Sequence, residues 1–266
     1  MEKNKKEKIR LISWNINGIR AAHRKGLLGF IKHAGADFYC FQEIKAHREQ
    51  IPSELLYIEG YNNYLASPER KGYSGVCIYS RLAPDRVILD TGVKRFDDEG
   101  RMIGLDFKDT VLFNVYFPNG GRSCKRLDYK MDFYRHFLGM INDLRDAGKN
   151  IIFCGDVNTA HKEIDLARPE ANKNNTGFLP QERAWIDRVI RSGYVDTFRE
   201  FDKGPENYTW WDYKTRARER NVGWRLDYFF VSESVRKSLI DSSIMKGITG
   251  SDHCPVVLEL NGGMFS

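Results

Sequence analysis

Residues 101–117, RMIGLDFKDTVLFNVYF, hold two runs rich in Ile, Leu, Val and Phe with only Lys108-Asp109-Thr110 between them. Three residues are the length of a hairpin connection and leave no room for a crossover helix. A simple alternating parallel sheet is therefore excluded here. On both sides further β-type runs recur: IRLISW (9–14), DFYCFQ (37–42), GVCIYS (75–80), NIIFCGD (150–156), LDYFFV (226–231) and PVVLEL (255–260). Residues 61–66 pair with 75–80 across SPERKGYSG, a basic, Gly-rich loop. Helical spacing is clearest from Cys124 to Ala147, where Leu127, Met131, Tyr134, Leu138, Ile141 and Leu144 recur at intervals of three and four before a capping Gly148. Glu182 to Arg191 repeats the pattern with Trp185, Ile186, Val189 and Ile190. Strands outnumber helices, so the expected class is α/β, with packed sheets flanked by helices.

At 266 residues, with no Pro/Gly/Ser-rich linker, the chain reads as one domain over 9–266 behind a flexible basic tail, 1–8. A 41% hydrophobic and 29% charged composition excludes wholesale disorder. Five scattered cysteines without a C-x-x-C pair argue against a disulfide framework or structural zinc. MEKNKKEK lacks the apolar segment of a secretory leader, and no apolar run approaches a membrane span. The expectation is an intracellular protein, cytoplasmic or nucleoid-associated, with no membrane partner. Net charge is +6, and Lys214 to Arg225 (KTRARERNVGWR) concentrates five basic residues against Glu219 beside Trp210, Trp211 and Tyr213. Arginines interleaved with aromatics suit backbone phosphates and sugar or base faces.

Strand ends carry the candidate chemistry. Asn15 and Asn17 follow LISW, Glu43 follows FYCFQ, Asn119 follows VYFP, and Asp156 and Asn158 follow IIFCG. Asp227 opens DYFFV, and Asp252-His253 precedes PVVLEL. Each alone is an ordinary strand-end turn residue. Together they form an oxygen-rich set that suits Mg²⁺ or Mn²⁺ rather than zinc. An Asp near a His supplies an orienting pair, and with no comparable Ser or Cys, attack by water is favoured. Arg70, Lys71 and Tyr73 of the basic loop are candidate ligand contacts.

The strings LISWNINGIRA, FQEIKA, ERKGYSGV, YFPNGGR, CGDVNTAHKEIDLARP, GFLPQERAWID, GYVDTFR, YTWWDY, RERNVGWRLDYFFVS and GSDHCP closely resemble the exonuclease III / apurinic-apyrimidinic (AP) endonuclease family, in register from about residue 9 to residue 260. The resemblance implies a four-layered α/β sandwich, two packed mixed sheets with helices outside, whose active site lies at one edge. It implies Glu43 as principal metal ligand with Asn15, Asn17 and Asp252 around it. Asp156 and Asn158 would act on the attacking water, His253 held by Asp227 would touch the scissile phosphate, and Tyr116 and Asn119 would serve the phosphate or the departing 3′-oxygen. Trp210, Trp211 and Leu226 would enclose an extrahelical abasic sugar. Arg122, Lys214 and Arg216 would reach into the grooves of kinked DNA, with Arg20 as a further DNA contact. Asn17 stands where mammalian-type members have Asp, which removes one acidic metal contact.

The implied activity is Mg²⁺-dependent hydrolysis 5′ to an abasic site in duplex DNA by a monomeric repair enzyme, giving 3′-hydroxyl and 5′-deoxyribose phosphate, with Mn²⁺ as substitute. Removal of blocked 3′ ends, 3′→5′ exonuclease action and incision at damaged or deaminated bases accompany it. Two other classes were weighed. A superfamily phosphodiesterase or phosphatase acting on RNA or phosphoinositides is disfavoured by YTWWDY and RARER. A catalytically silent nucleic-acid binder is disfavoured because each candidate catalytic position carries a competent side chain.

Overall fold

The structure is a computed structural model that describes residues 8–121 and 123–265. Arg122 and residues 1–7 of the expected tail lie outside the described residues. The first four strands are β1 (Lys8–Asn15), β2 (Phe38–Gln42), β3 (Asn62–Ala66) and β4 (Val76–Ser80). Next come β5 (Arg86–Ile88), β6 (Met102–Asp106), β7 (Thr110–Tyr116), β8 (Asn150–Asp156) and β9 (Tyr194–Asp196). The chain finishes with β10 (Trp210–Trp211), β11 (Gly223–Trp224), β12 (Asp227–Ser232), β13 (Leu239–Ile244) and β14 (Val256–Asn261).

One sheet runs β13-β14-β1-β2-β4-β3 and the other β5-β6-β7-β8-β12-β9, with β10-β11 as a separate ribbon. Each sheet is antiparallel except for one central parallel pair, β1/β2 in the first and β7/β8 in the second. The expected 101–117 hairpin is β6–β7.

Alternation along the strands builds three apolar layers. Leu11, Cys40, Ile78, Leu105, Leu112, Ile152, Phe229 and Leu258 fill the space between the sheets. Helices Cys124–Asp146 and Pro180–Arg191 cover the second sheet through Phe133, Phe137, Trp185 and Val189. Helices Ile19–Arg24 and Leu27–Ala34 cover the first through Ile19, Ala22, Leu27 and Ile31. These are the four layers of the sandwich.

Two helix faces differ from the spacing-based expectation. In Cys124–Asp146 the buried stripe is Lys130, Phe133, Tyr134, Phe137, Leu138 and Ile141, while Leu127, Met131 and Leu144 sit at its margin. The cause is aromatic: Phe133 and Phe137 pack edge-on against Phe117 and turn the helix toward them. In the second helix Ile190 is 40% exposed, so the stripe is Trp185, Ile186 and Val189.

The parallel pair β7/β8 demands a glycine. Gly155 has φ +136°, and a Cβ there would lie 1.9 Å from the Val115 carbonyl oxygen. Since the obstacle is backbone, Gly155→Ala is expected to destabilise by more than about 4 kcal/mol, read as a lowered urea midpoint.

Candidate active site

Both parallel pairs end at the same edge of the sandwich. From the first sheet, β1 delivers Asn15 and β2 leads into Glu43; from the second, β7 delivers Tyr116 and β8 delivers Asp156. Asn15 ties the two together, its Nδ2 donating to Glu43 Oε1 (2.9 Å) and Asp156 Oδ2 (2.9 Å). β12 opens with Asp227 directly opposite Asp156. His253, just before β14, donates or accepts through Nδ1 to Asp227 Oδ2 at 2.8 Å. Its Nε2 stands 3.8 Å from Asp156 Oδ2. The chain bends sharply to present these groups: Asn17, Glu43, Lys45 and Asn158 all adopt positive φ, the kind of backbone strain that collects at functional sites.

These groups share a cavity of about 280 Å³ lined by Glu43, Tyr116, Asn119, Asp156, Asn158 and His253 together with Trp210, Trp224 and Leu226. A larger open groove of about 820 Å³, near Arg86, Phe96 and His136, contains none of the sequence candidates.

Burial makes the cluster electrostatically tense. It raises the Asp156 carboxyl to about 7, with His253 opposing and the charges of Asp227 and Glu43 adding to the rise. Burial also disfavours an imidazolium at His253, but Asp227 and Asp156 overcome this and raise its pKa to about 10. At neutral pH His253 is therefore a cation with Nδ1 on Asp227. Glu43 is held below the ordinary carboxylate value: burial works against ionisation, and the Lys45 ammonium at 2.8 Å together with hydrogen bonds from Asn15 and Lys45 outweighs it. Asp252 is lowered too, its burial offset by His253 and by hydrogen bonds from Asn17 and Trp210.

The amide side chains act as brackets. Asn15 turns its nitrogen to the carboxylates while its Oδ1 accepts from the Asn17 backbone N–H (3.1 Å), so it orients Glu43 and Asp156. Asn17 donates to Asp252 Oδ1 (2.9 Å) and accepts from Lys45 Nζ (2.5 Å). Asn158 donates to Asp156 Oδ2 (3.2 Å) and the Phe117 carbonyl (2.9 Å), and Asn119 donates to Asn158 Oδ1 (3.0 Å).

Four carboxylates, Glu43, Asp156, Asp227 and Asp252, face two cations, Lys45 and His253, with hard oxygen donors and no thiol on the cavity wall. Such a donor set with negative excess fits a divalent cation. Among the described residues, Asp156, Asp227 and His253 bring one ligand atom each within 4.8 Å of one another. His253 and Asp227 hold each other, while Glu43 is held by Asn15 and Lys45 and Asp252 by Asn17 and Trp210, so a bound cation would compete with these contacts.

One expected pocket residue is corrected. Trp211 does not line the cavity; it is buried on the other side, under the Arg218 guanidinium (4.6 Å) with Nε1 bonded to Asn221. Trp224 takes its place. The reason is strand alternation: Trp210 pairs directly with Trp224 across β10–β11, so both project to one face and Trp211 to the opposite one. The two cavity indoles meet edge to face at 6.4 Å, and Trp210 Nε1 bonds Asp252 Oδ2 (3.1 Å). The period-2 rule applied back from Leu226 would have found Trp224. Lys45, Thr176 and Gly177 carried no such signal.

The basic candidates sit on the surface. Arg20, Arg70, Lys71, Lys214 and Arg216 are exposed, and the last two follow β10 directly. Tyr73 is partly buried, its hydroxyl accepting from Arg101 and Arg126 (2.6 Å each), and Arg101 stacks under the Tyr116 ring at 4.7 Å.

Between Trp224 and Leu226, Arg225 is fully buried, with Nε on Asp165 Oδ1 (2.7 Å) and both terminal nitrogens on Asp196 (3.0 and 2.7 Å). Burial opposes ionisation of Asp165, but Arg225 and Arg199 override it and hold its carboxyl far below the usual range. A depressed carboxyl contributes stability that is whole above its unfolded pKa of about 4 and drains away as pH falls toward its folded value. The urea midpoint is expected to drop as pH goes from about 5 to 3, and Asp165→Asn should flatten that drop.

Residues 12–253 match the Endonuclease/Exonuclease/phosphatase family. The chain is 45% identical to an exodeoxyribonuclease of Bacillus subtilis, covering 95% of this chain and 100% of that one. It is 38% identical to the DNA repair nuclease APEX1 of Danio rerio, covering 95% of this chain and 82% of the relative. The crystal structure of the Xenopus laevis APE2 catalytic domain superposes with a TM-score of 0.87 at 28% identity, over 95% of this chain and 92% of that one. The carboxylate and histidine cluster, the four-layered sandwich and these matches agree: the chain belongs to the Endonuclease/Exonuclease/phosphatase family, in its exonuclease III and AP endonuclease branch.

Proposed function

We propose that this enzyme hydrolyses the phosphodiester 5′ to an abasic site in duplex DNA, leaving a 3′-hydroxyl and a 5′-deoxyribose phosphate, and that the same site trims blocked 3′ ends and single nucleotides. The observation that carries this reading is the sharing of one cavity by the hydrolytic cluster and an edge-to-face pair of indoles with Leu226. At about 280 Å³ it falls just below the roughly 300–1,000 Å³ of ordinary ligand pockets. A sugar stripped of its base fits against such walls with no base to accommodate, which makes it the preferred occupant and a base-bearing terminal nucleotide the poorer one.

Asp156, with a carboxyl poised at about 7, takes the proton of the attacking water, while Asn158 fixes its Oδ2 from one side and Asn15 from the other. The His253 imidazolium, steadied by Asp227 through Nδ1, turns Nε2 to a phosphoryl oxygen as negative charge builds there. Tyr116 and Asn119 line the same wall and serve the departing 3′-oxygen. Glu43 and Asp252 would hold Mg²⁺, with Mn²⁺ as substitute; when bound, the dication neutralises phosphoryl charge. The exposed Arg20, Arg70, Lys71, Lys214 and Arg216 meet backbone phosphates.

A duplex carrying one tetrahydrofuran abasic analogue tests the reading. One cut 5′ to the analogue in Mg²⁺, none in EDTA, and a rate falling steeply with salt are expected. Indifference to that duplex with cleavage of RNA or inositol phosphates would defeat it.

A further inference from the structure

Behind the cavity lies an ion pair with no solvent contact, Lys130 with Glu182, at 2.6 Å. Neither residue reaches the cavity, yet each holds a segment that lines it. Lys130 Nζ donates to the Asn158 carbonyl (2.7 Å) and to Thr159 Oγ1 (2.9 Å). This anchors a residue whose φ of +56° is unfavourable and whose side chain bonds Asp156. Glu182 spends its other acceptor sites on the opposite wall: Oε1 takes Thr176 Oγ1 (2.9 Å), and Oε2 takes the backbone N–H of Gly177 (2.6 Å) and of Leu179 (3.0 Å). Thr176 and Gly177 are cavity-lining residues. Gly177 lies so close to Trp224 that a Cβ there would come within 3.3 Å of the indole and of the Asn158 carbonyl oxygen. The two walls also touch, the Ala160 N–H donating to the Gly177 carbonyl (2.8 Å).

We propose that Lys130 and Glu182 are positioning residues of the hydrolytic site: Lys130 sets the geometry of Asn158 at Asp156, and Glu182 sets the wall that Thr176 and Gly177 raise against Trp224. A bare hydrophobic pair would fill the same volume but could not terminate five hydrogen bonds from two loops. The division of contacts gives the two residues different kinetic signatures. The inference rests on the abasic-site reading for its substrate, though not for its geometry.

The test uses the full chain and the tetrahydrofuran duplex, with Lys130→Met, Glu182→Gln and the double variant; the double variant is neutral inside and guards against misfolding of the singles. In protein that retains a cooperative melt, Lys130→Met is expected to lower kcat roughly tenfold to a hundredfold with KM within about threefold. Glu182→Gln is expected chiefly to raise KM, by roughly tenfold, because its single amide oxygen is drawn to the Lys130 ammonium and its amide nitrogen then faces the N–H groups of Gly177 and Leu179, from which it cannot accept. The folded double variant, whose amide oxygen is released from Lys130 and free to accept from those N–H groups, should keep the kcat loss and recover part of the KM loss. Hydrogen exchange gives a substrate-free readout: the Gly177 and Leu179 amides lose protection in Glu182→Gln while those of the β8 core do not. Folded variants with unchanged kcat and KM, or with apparent kcat lowered only by the unfolded fraction and KM unchanged, would overturn the proposal. A silent wild-type enzyme would instead defeat the abasic-site reading, and the exchange measurement would still decide the positioning claim.

Discussion

Asp156→Asn is expected to lower turnover on a single-abasic duplex by about 10³–10⁴-fold, with substrate affinity little changed. The carboxylate accepts the Asn158 N–H on Oδ1 (2.8 Å) and the Asn15 and Asn158 amides on Oδ2. An amide in its place keeps the size, forfeits acceptor capacity at one atom and cannot take a proton from water. The fold should not suffer. A carboxyl whose pKa is raised on folding contributes most below its unfolded value and loses that contribution as pH rises through about 7. At pH 8 the ionised group is a burden on the native state, so the variant's urea midpoint is expected to match or exceed that of the wild type. Full cleavage activity in a folded Asp156→Asn protein would remove Asp156 from the mechanism.

The second large effect belongs to Glu43. Glu43→Gln keeps an acceptor for Asn15 but removes the charge that Lys45 faces at 2.8 Å, and with it the strongest candidate ligand for a dication. Turnover is expected to fall about 10²–10³-fold. The Mg²⁺ concentration for half-maximal rate should rise at least about tenfold, the response expected when a metal site loses a ligand. Calorimetric titration of Mg²⁺ into DNA-free protein separates the two losses. Wild-type metal affinity with the same rate loss would mean that Glu43 acts on substrate rather than on metal.

Much of this site was legible because strand ends are legible. Asn15, Glu43 and Asp156 stand where an apolar run stops and Asp227 and His253 where one is about to begin, and two parallel pairs sharing one edge bring these ends together. Trp224 was missed because β11 is only two residues long and stands in no apolar run, so that only alternation counted back from Leu226 marks its face. Lys130 was invisible for another reason. A lysine on an amphipathic helix reads as solvated, and only the tertiary placement of Glu182, fifty-two residues away, makes its burial tolerable. The helix stripe shifted for a similar cause, since Phe117 comes from beyond β7 and no local period records it.

The order of strands in the two sheets has a consequence for how the enzyme comes into being. All six strands of the second sheet, β5 to β9 and β12, form a block in sequence between β4 and β13 of the first, interrupted only by the β10–β11 ribbon. During synthesis that block can assemble its own half of the sandwich while the first sheet still lacks β14, the direct neighbour of β1. Asp252 and His253 emerge with that last strand. A chain folded only as far as β12 therefore carries Glu43 and Asp156 without the imidazolium, and the site is complete only once β14 has docked beside β1.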